Sequence, residues 1–353
     1  MVDSAHSERH RGDACPHCRT SKAGGAHAAT IVQAVLLCVA VVPLLVWRDT
    51  PQVRTMSLVF VSIVLEAMPF VALGALVAGM VEEFVSREKL AALLPERRVR
   101  TILLAAGMGI IFPVCECAVV PVVRRLLRKG VPFSAAVAYL LAGPIVNPIV
   151  AASTSIAYVL EWRVVILRLA CGYAIAVAVG AFMGRLFEGK EILLNPAEFA
   201  QPQAAHDHGE ERETGLIARL ARAFNHGGDD FFLIGRFLVM GAFIAAALQT
   251  LIARSAFVNL ARVPVVSILA MMALAIVLNL CSEADAFVAA SFRQLVPLPG
   301  QLAFMVLGPM LDIKLVIMYL GLFRKRVVLV WAMSTIAAVF AVMVVLSLLL
   351  GGG

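Results

Sequence analysis

Apolar stretches close to the length that crosses a hydrocarbon core of roughly 30 Å recur along this chain. They run from Ile31 to Trp47, Met56 to Met80, Ile102 to Val123, Val131 to Leu160 and Val164 to Leu186. Four more follow, from Phe231 to Ile252, Val263 to Phe292, Leu302 to Phe323 and Val327 to Leu350. A polar stretch from Phe187 to Asp230 separates the two groups. The pattern predicts an all-α polytopic membrane protein. Its parts are a polar tail over residues 1–30, a first transmembrane helix and loop over 31–55, and membrane repeats over 56–186 and 231–350, joined by a cytoplasmic linker over 187–230. The first stretch is not a signal peptide on this reading, because the polar start is too long and Leu44-Leu45-Val46-Trp47-Arg48 offers no small-residue cleavage site.

Composition agrees, since 61% hydrophobic and 15% charged residues over 353 positions exceed what a soluble core of this size can hide. A net charge of +7 could suggest nucleic acid, but the basic residues sit in short loops. Arg87, Lys89, Arg97, Arg98 and Arg100 fall in one, Arg124, Arg125, Arg128 and Lys129 in the next, and Arg324, Lys325 and Arg326 near the end. That is the distribution of cytoplasmic loops, with lipid as the partner and no nucleic acid. Seven cysteines do not make a disulfide framework, because Cys38, Cys115, Cys117, Cys171 and Cys281 lie in apolar segments and read as thiols.

Three short motifs recur in order at nearly constant offset, which suggests two related halves. Phe70 to Ala75 resembles Phe237 to Ala242 (offset 167), Cys115-Glu-Cys-Ala resembles Cys281-Ser-Glu-Ala (166), and Leu141 to Asn147 resembles Val306 to Asp312 (165). Basic loops on both sides of Ile102 to Val123 place both ends of that segment in the cytoplasm. Pro113 and Pro121 then predict a re-entrant pair of half-helices there. Each half holds three crossings and one such hairpin, an odd number, so the halves are expected to be inverted repeats, with one extra amino-terminal helix and a cytoplasmic amino terminus. Nine simple crossings would instead put the Arg124 loop on the wrong side.

Ionisable groups within apolar segments are costly and call for a reason. Here they cluster: Glu116 between Cys115 and Cys117, Glu283 and Asp285 after Cys281, and Asn147 and Asp312 just after the two Gly-Pro pairs, with Lys314 beyond. Gly143, Pro144 and Pro148 in one half, and Gly308 and Pro309 in the other, predict helix breaks whose free N–H and carbonyl groups can bind small ions. Thiolates favour Zn(II), Cu(I) or trivalent arsenic, and carboxylates add charge or proton coupling. The expectation is a central cysteine and carboxylate site. The plainer reading pairs Glu116, Glu283 and Asp312 with Lys314 or backbone donors. Glu66, beside Pro69, is the weaker candidate, lacking a counterpart at Leu233.

The tail carries Cys15, His17 and Cys18, an incomplete zinc-type set that could collect metal, and His206 and His208 with Glu210, Glu211 and Glu213 in the linker offer the same chemistry. Met271, Met272, Met305 and Met310 read as adaptable packing. No G-x-x-x-x-G-K-[ST], G-x-S-x-G or H-E-x-x-H sequence is present, which argues against ATP-powered transport and membrane hydrolysis.

Phe112-Pro-Val-Cys-Glu-Cys-Ala-Val-Val-Pro121, Gly130-Val-Pro-Phe and Leu141-Ala-Gly-Pro-Ile-Val-Asn-Pro148 resemble the bacterial permeases typified by YraQ and the arsenical permease ArsP. Leu280 to Ala286 and Leu307 to Lys314 look like the second-half motifs of that family, and the likeness runs from about Met56 to Leu350. It implies an inner-membrane permease and, for the ArsP branch, efflux of trivalent organoarsenicals by cysteine thiols. Cys115, Glu116, Cys117, Asn147, Cys281, Glu283, Asp285, Asp312 and Lys314 match the family motifs position by position. The expected function is secondary transport of a soft metal ion, metalloid or thiol-reactive species. No resident cofactor is implied beyond a metal held transiently at the site, and a membrane or metal-delivery protein is an expected partner. The competing functions are a thiol-redox enzyme and an accessory permease subunit without cargo of its own.

Overall fold

In the computed structural model, residues 50–84, 98–187, 192–193, 216–251 and 264–351 are described. The Ile31 to Trp47 stretch, the Cys15, His17 and Cys18 tail and the His206 linker lie outside them. The described residues form twelve α-helices: α1 (Pro51–Phe84), α2 (Arg98–Gly107), α3 (Glu116–Arg128), α4 (Phe133–Ala142), α5 (Pro148–Ala157), α6 (Trp162–Phe187), α7 (Leu216–Leu251), α8 (Pro264–Leu278), α9 (Asp285–Ser291), α10 (Leu298–Met310), α11 (Ile313–Leu322) and α12 (Lys325–Gly351). Among the described residues, five stretches are long and apolar enough to cross a membrane: Pro51–Phe84, Trp162–Phe187, Arg219–Thr250, Leu298–Leu322 and Lys325–Leu350. Leu58, Leu65 and Leu73 of α1 stay exposed at helical spacing while Ile63, Ala67, Val71 and Ala78 are buried. A face of that kind belongs against lipid.

Helix breaks fall where backbone chemistry demands them. The segment Ile102 to Val123 is divided into α2, a 3-10 turn at Met108–Ile110 and α3. Pro113 lies in the non-helical stretch between them. Pro121, expected to help break the segment, lies inside α3, which continues to Arg128. Its missing N–H costs one bond, which the packing of this buried helix absorbs. Between α4 and α5 the chain breaks after Gly143, and α5 restarts at Pro148, where a missing N–H is harmless, with the Asn147 side chain accepting from the Ile149 N–H at 2.8 Å. In the second half, Gly308 and Pro309 lie within α10 and the break comes later, at Leu311 and Asp312. There the Asp312 carboxylate accepts from the Leu315 N–H at 2.7 Å and caps α11, so the cap sets the break rather than the proline.

Within the expected linker over 187–230, α7 begins at Leu216. Polar residues Arg219, Arg222, His226 and Asp230 recur three to four apart on this helix and find partners on α1 and α3. Arg222 bonds Glu83 at 2.8 Å, while Asp230, fully buried, takes Arg124 and Arg125 at 2.5 Å each. Ion pairing therefore extends the helix beyond what hydropathy alone marks.

α1 and α7 form a long antiparallel pair. Gly79 lies against Ala223, Gly227 against Ala75, and Phe60 against Phe243 with ring centroids 6.1 Å apart. The remaining helices are packed in one continuous apolar core. At one end of the molecule, Lys129 beyond α3 donates to the Glu82 carbonyl of α1 at 2.7 Å. Gly184 of α6 packs there on Ser134 of α4, beside Arg98 of α2. Phe133 also meets Phe323, just after α11, with centroids 6.0 Å apart. At the other end, Gly300 of α10 packs on Ser267 of α8, and Tyr158 after α5 donates to Gln301 at 2.7 Å. Thus α2 starts and α3 finishes at one end, whereas α8 starts beside the first turn of α10 at the other.

Candidate functional site

A cleft sits where the irregular stretch before α3, the break between α8 and α9 and the start of α11 meet the middle of α1. Its lining includes Glu66, Cys115, Glu116, Cys117, Asn279, Cys281 and Lys314. These residues come from both halves of the chain and are brought together because broken helices place their polar ends in the interior. The space holds little more than a water molecule.

Glu116 and Lys314 form its polar floor. The Lys314 amine lies 3.1 Å from Glu116 Oε1, 3.2 Å from Asp312 Oδ2 and 3.3 Å from the Asn279 carbonyl oxygen. The backbone N–H of Lys314 donates to Asn279 Oδ1 at 3.0 Å, and Asn279 is held with a positive φ of 49°. Close approach of α7 to this turn requires glycine at 241, because a Cβ there would lie 2.7 Å from the Lys314 Cα.

Three thiols also line the cleft. Cys281 donates to Glu66 Oε1 at 2.7 Å, whereas Cys117 is 2% exposed and Cys115 is also buried. All the cysteines of the described residues are free. No group of three or more His, Cys, Asp or Glu residues among the described residues is arranged to hold a metal ion. In this arrangement the cleft is a binding surface of mixed thiols and charges rather than a closed metal centre.

The expected site residues separate into two sets. Cys115, Glu116, Cys117, Cys281 and Lys314 line the cleft. Asp312 stands behind Lys314, and Glu283 accepts from the Ser282 hydroxyl at 3.2 Å, which also lies 3.5 Å from Glu116. Asn147 caps α5, and Asp285 is buried against Arg168 at 2.8 Å, so neither lines the cleft. Arg168 and Asn279 were absent from the expected set, and Glu66 ranked low in it. Each is a polar side chain within an apolar run, the signal that would have marked all three.

These features define a multi-pass helical membrane protein with a polar cleft at its broken helices, the construction of a carrier. The chain belongs to the ArsP_1 family, described as predicted permease, whose profile matches residues 52–348. It is 41% identical over 270 residues to the protein YcgR of Bacillus subtilis, covering 76% of this chain and 89% of that one. A candidate two-component membrane permease complex subunit of Streptococcus mutans is 35% identical over 77% of this chain and 88% of its own. YraQ of Escherichia coli is 24% identical over 43% of this chain and 41% of its own length. No solved structure matches. The family makes the chain a transporter rather than an enzyme, so the thiol-redox alternative falls away.

Proposed function

We propose that this permease moves a soft metal ion, metalloid or thiol-reactive species through the cleft between its halves. One observation carries the reading: three thiols, Cys115, Cys117 and Cys281, face one small cleft together with Glu66, Glu116 and Lys314. Thiols and carboxylates together suit soft or borderline centres better than they suit hard cations or sugars. Because no metal-holding trio is formed, cargo capture involves closing these groups around the guest, as expected of a carrier that must also release it.

The two halves are read as inverted repeats. Six helices follow in the same order in each, α1 to α6 and α7 to α12, and the α2 and α3 pair and the α8 and α9 pair begin from opposite ends. On this reading the protein lies in the bacterial inner membrane with a cytoplasmic amino terminus, and its basic loops face the cytoplasm. The Cys15, His17 and Cys18 tail then serves as a metal-collecting extension on the cytoplasmic side.

The test is elemental analysis of metals and arsenic in cells carrying the protein or its Cys115→Ser, Cys117→Ser, Cys281→Ser triple variant, under metal and arsenical challenge. Cysteine-dependent change in one element is the expected result. An identical profile for the two proteins, both inserted normally, would sink the thiol site. A second reading, a subunit that works only with a membrane partner, is favoured by the Streptococcus mutans relative, which is described as a subunit of a two-component membrane permease complex. It predicts transport only when a second membrane protein is co-expressed.

A further inference from the structure

We propose that Lys314 is a tethered stand-in for cationic cargo, occupying the guest's carboxylate, Glu116, whenever the cleft is empty. The inference rests on the cleft being the transport site and adds how the empty carrier keeps Glu116 paired. The Lys314 ammonium donates hydrogen bonds to Glu116 and the Asn279 carbonyl and is ion-paired with Asp312 at 3.2 Å. The three partners are not equivalent. Glu116 belongs to the first half and lines the cleft, whereas Asp312 and Asn279 flank Lys314 in the second half, and Asp312 lies outside the cleft lining.

An incoming cation can therefore take Glu116 while the amine keeps Asp312 and Asn279. The bond that breaks is the one between the halves; the two that remain lie within one half. Leaving Glu116 ionised and unpartnered in a buried site would be strongly unfavourable, and so would an amine with no counterion. Exchange of one cation for another at Glu116 avoids both. Cargo and lysine compete for a single carboxylate, so Glu116 is paired with a cation in the empty and in the loaded carrier alike. Neutral cargo has no reason to displace the amine, which makes a cation the substrate class.

The experiment uses the full-length protein in detergent, Cd2+ as the probe, and alkylation of Cys281 by N-ethylmaleimide scored on its peptide by mass spectrometry. Cys281 shares the cleft and is the partly exposed thiol among its lining cysteines. Cd2+ is expected to slow the alkylation, and K314M is expected to raise the apparent Cd2+ affinity by about tenfold or more, the scale of one released charge pair. Protection seen only in K314M supports the proposal equally. D312N removes the amine's fallback and is expected to lower the affinity, and opposite shifts in the two variants are what general loosening of the site would not give. Should K314M fail to insert, D312N decides alone, and an unchanged or raised affinity overturns the competition. Protection of equal strength in wild type and variants overturns the stand-in role while leaving the cleft reading intact. No protection in any of them overturns both.

Discussion

Arg168 brings a full charge into the interior of α6, 0% exposed, and spends it on both halves of the chain. Its guanidinium donates to Thr154 Oγ1 at 2.7 Å, to the Ser282 carbonyl at 2.8 Å and to Asp285 at 2.9 Å. Ser282 is the residue whose hydroxyl faces Glu116 and Glu283, so the pair fixes the turn that carries Cys281 without itself reaching the cleft. Removing one member of a buried pair leaves the other uncompensated, at a cost of about 3 to 5 kcal/mol. R168M and D285N should each lower the thermal midpoint of the purified protein sharply, and the R168M/D285L double variant should recover part of the loss. Additive losses would show that the two do not depend on each other. Asp285 was legible in the sequence as an acid that needs a reason, but its partner was not. The 117 positions between them carry no spacing rule, and only the fold supplies the pairing. The same holds for Glu66 and Cys281, which are 215 positions apart.

At the level of elements, hydropathy marked apolar stretches, five of which are long enough among the described residues to cross a membrane, but mistook what limits them. Within the second group, α7 exceeds its apolar run by a long amphipathic extension, in which buried Asp230 is neutralised by Arg124 and Arg125 and half-exposed Arg222 pairs with Glu83. Gly308 and Pro309 looked like a break and instead end a helix whose successor is capped two residues on by Asp312. The repeat motif containing Gly74 and Gly241 proved more informative than its apolar letters suggested. Gly74 seats the backbone of Ala118 just after the Cys115 turn, and Gly241 seats Lys314, so the paired long helices press on the two turns that furnish the cleft. Gly74→Val and Gly241→Val should therefore separate α1 from α3 and α7 from α11. Each is expected to destabilise by about 1 to 3 kcal/mol or more, as overpacking does. Gly107→Ala, with open space around its Cβ, should be close to neutral. Thermal unfolding of the three variants in one detergent checks the contrast, and a Gly107→Ala protein as damaged as the other two would remove the packing explanation.

Across the whole molecule, the path of the chain follows from which ends lie together. Glu82 near the end of α1 meets Lys129 after α3, so the chain between them leaves one end, reaches the cleft and returns to the same end. Arg98 at the start of α2 lies at that end too, beside Gly184 of α6. In the second half, the start of α8 lies with the start of α10, and the chain between them also turns at the cleft, through Asn279 and Cys281. The basic residues flanking Ile102 to Val123 pointed to the first return on the expectation of cytoplasmic loops, although Arg124 and Arg125 lie buried in α3 on Asp230 rather than in a loop; the second had no such charge marker, with Arg293 alone in its loop. The proposed inverted arrangement makes a labelling prediction that nine simple crossings do not. Single cysteines placed by Pro132→Cys, after α3, and Arg326→Cys, after α11, should both react with an impermeant maleimide in inside-out vesicles. Gln294→Cys, between α9 and α10, should react in right-side-out vesicles. All three positions are exposed, so reactivity reports sidedness rather than burial. If Pro132→Cys and Arg326→Cys label from opposite faces, or Gln294→Cys joins them on one face, the halves are not inverted, and a carrier that alternates by exchanging the roles of two symmetric halves loses its structural basis.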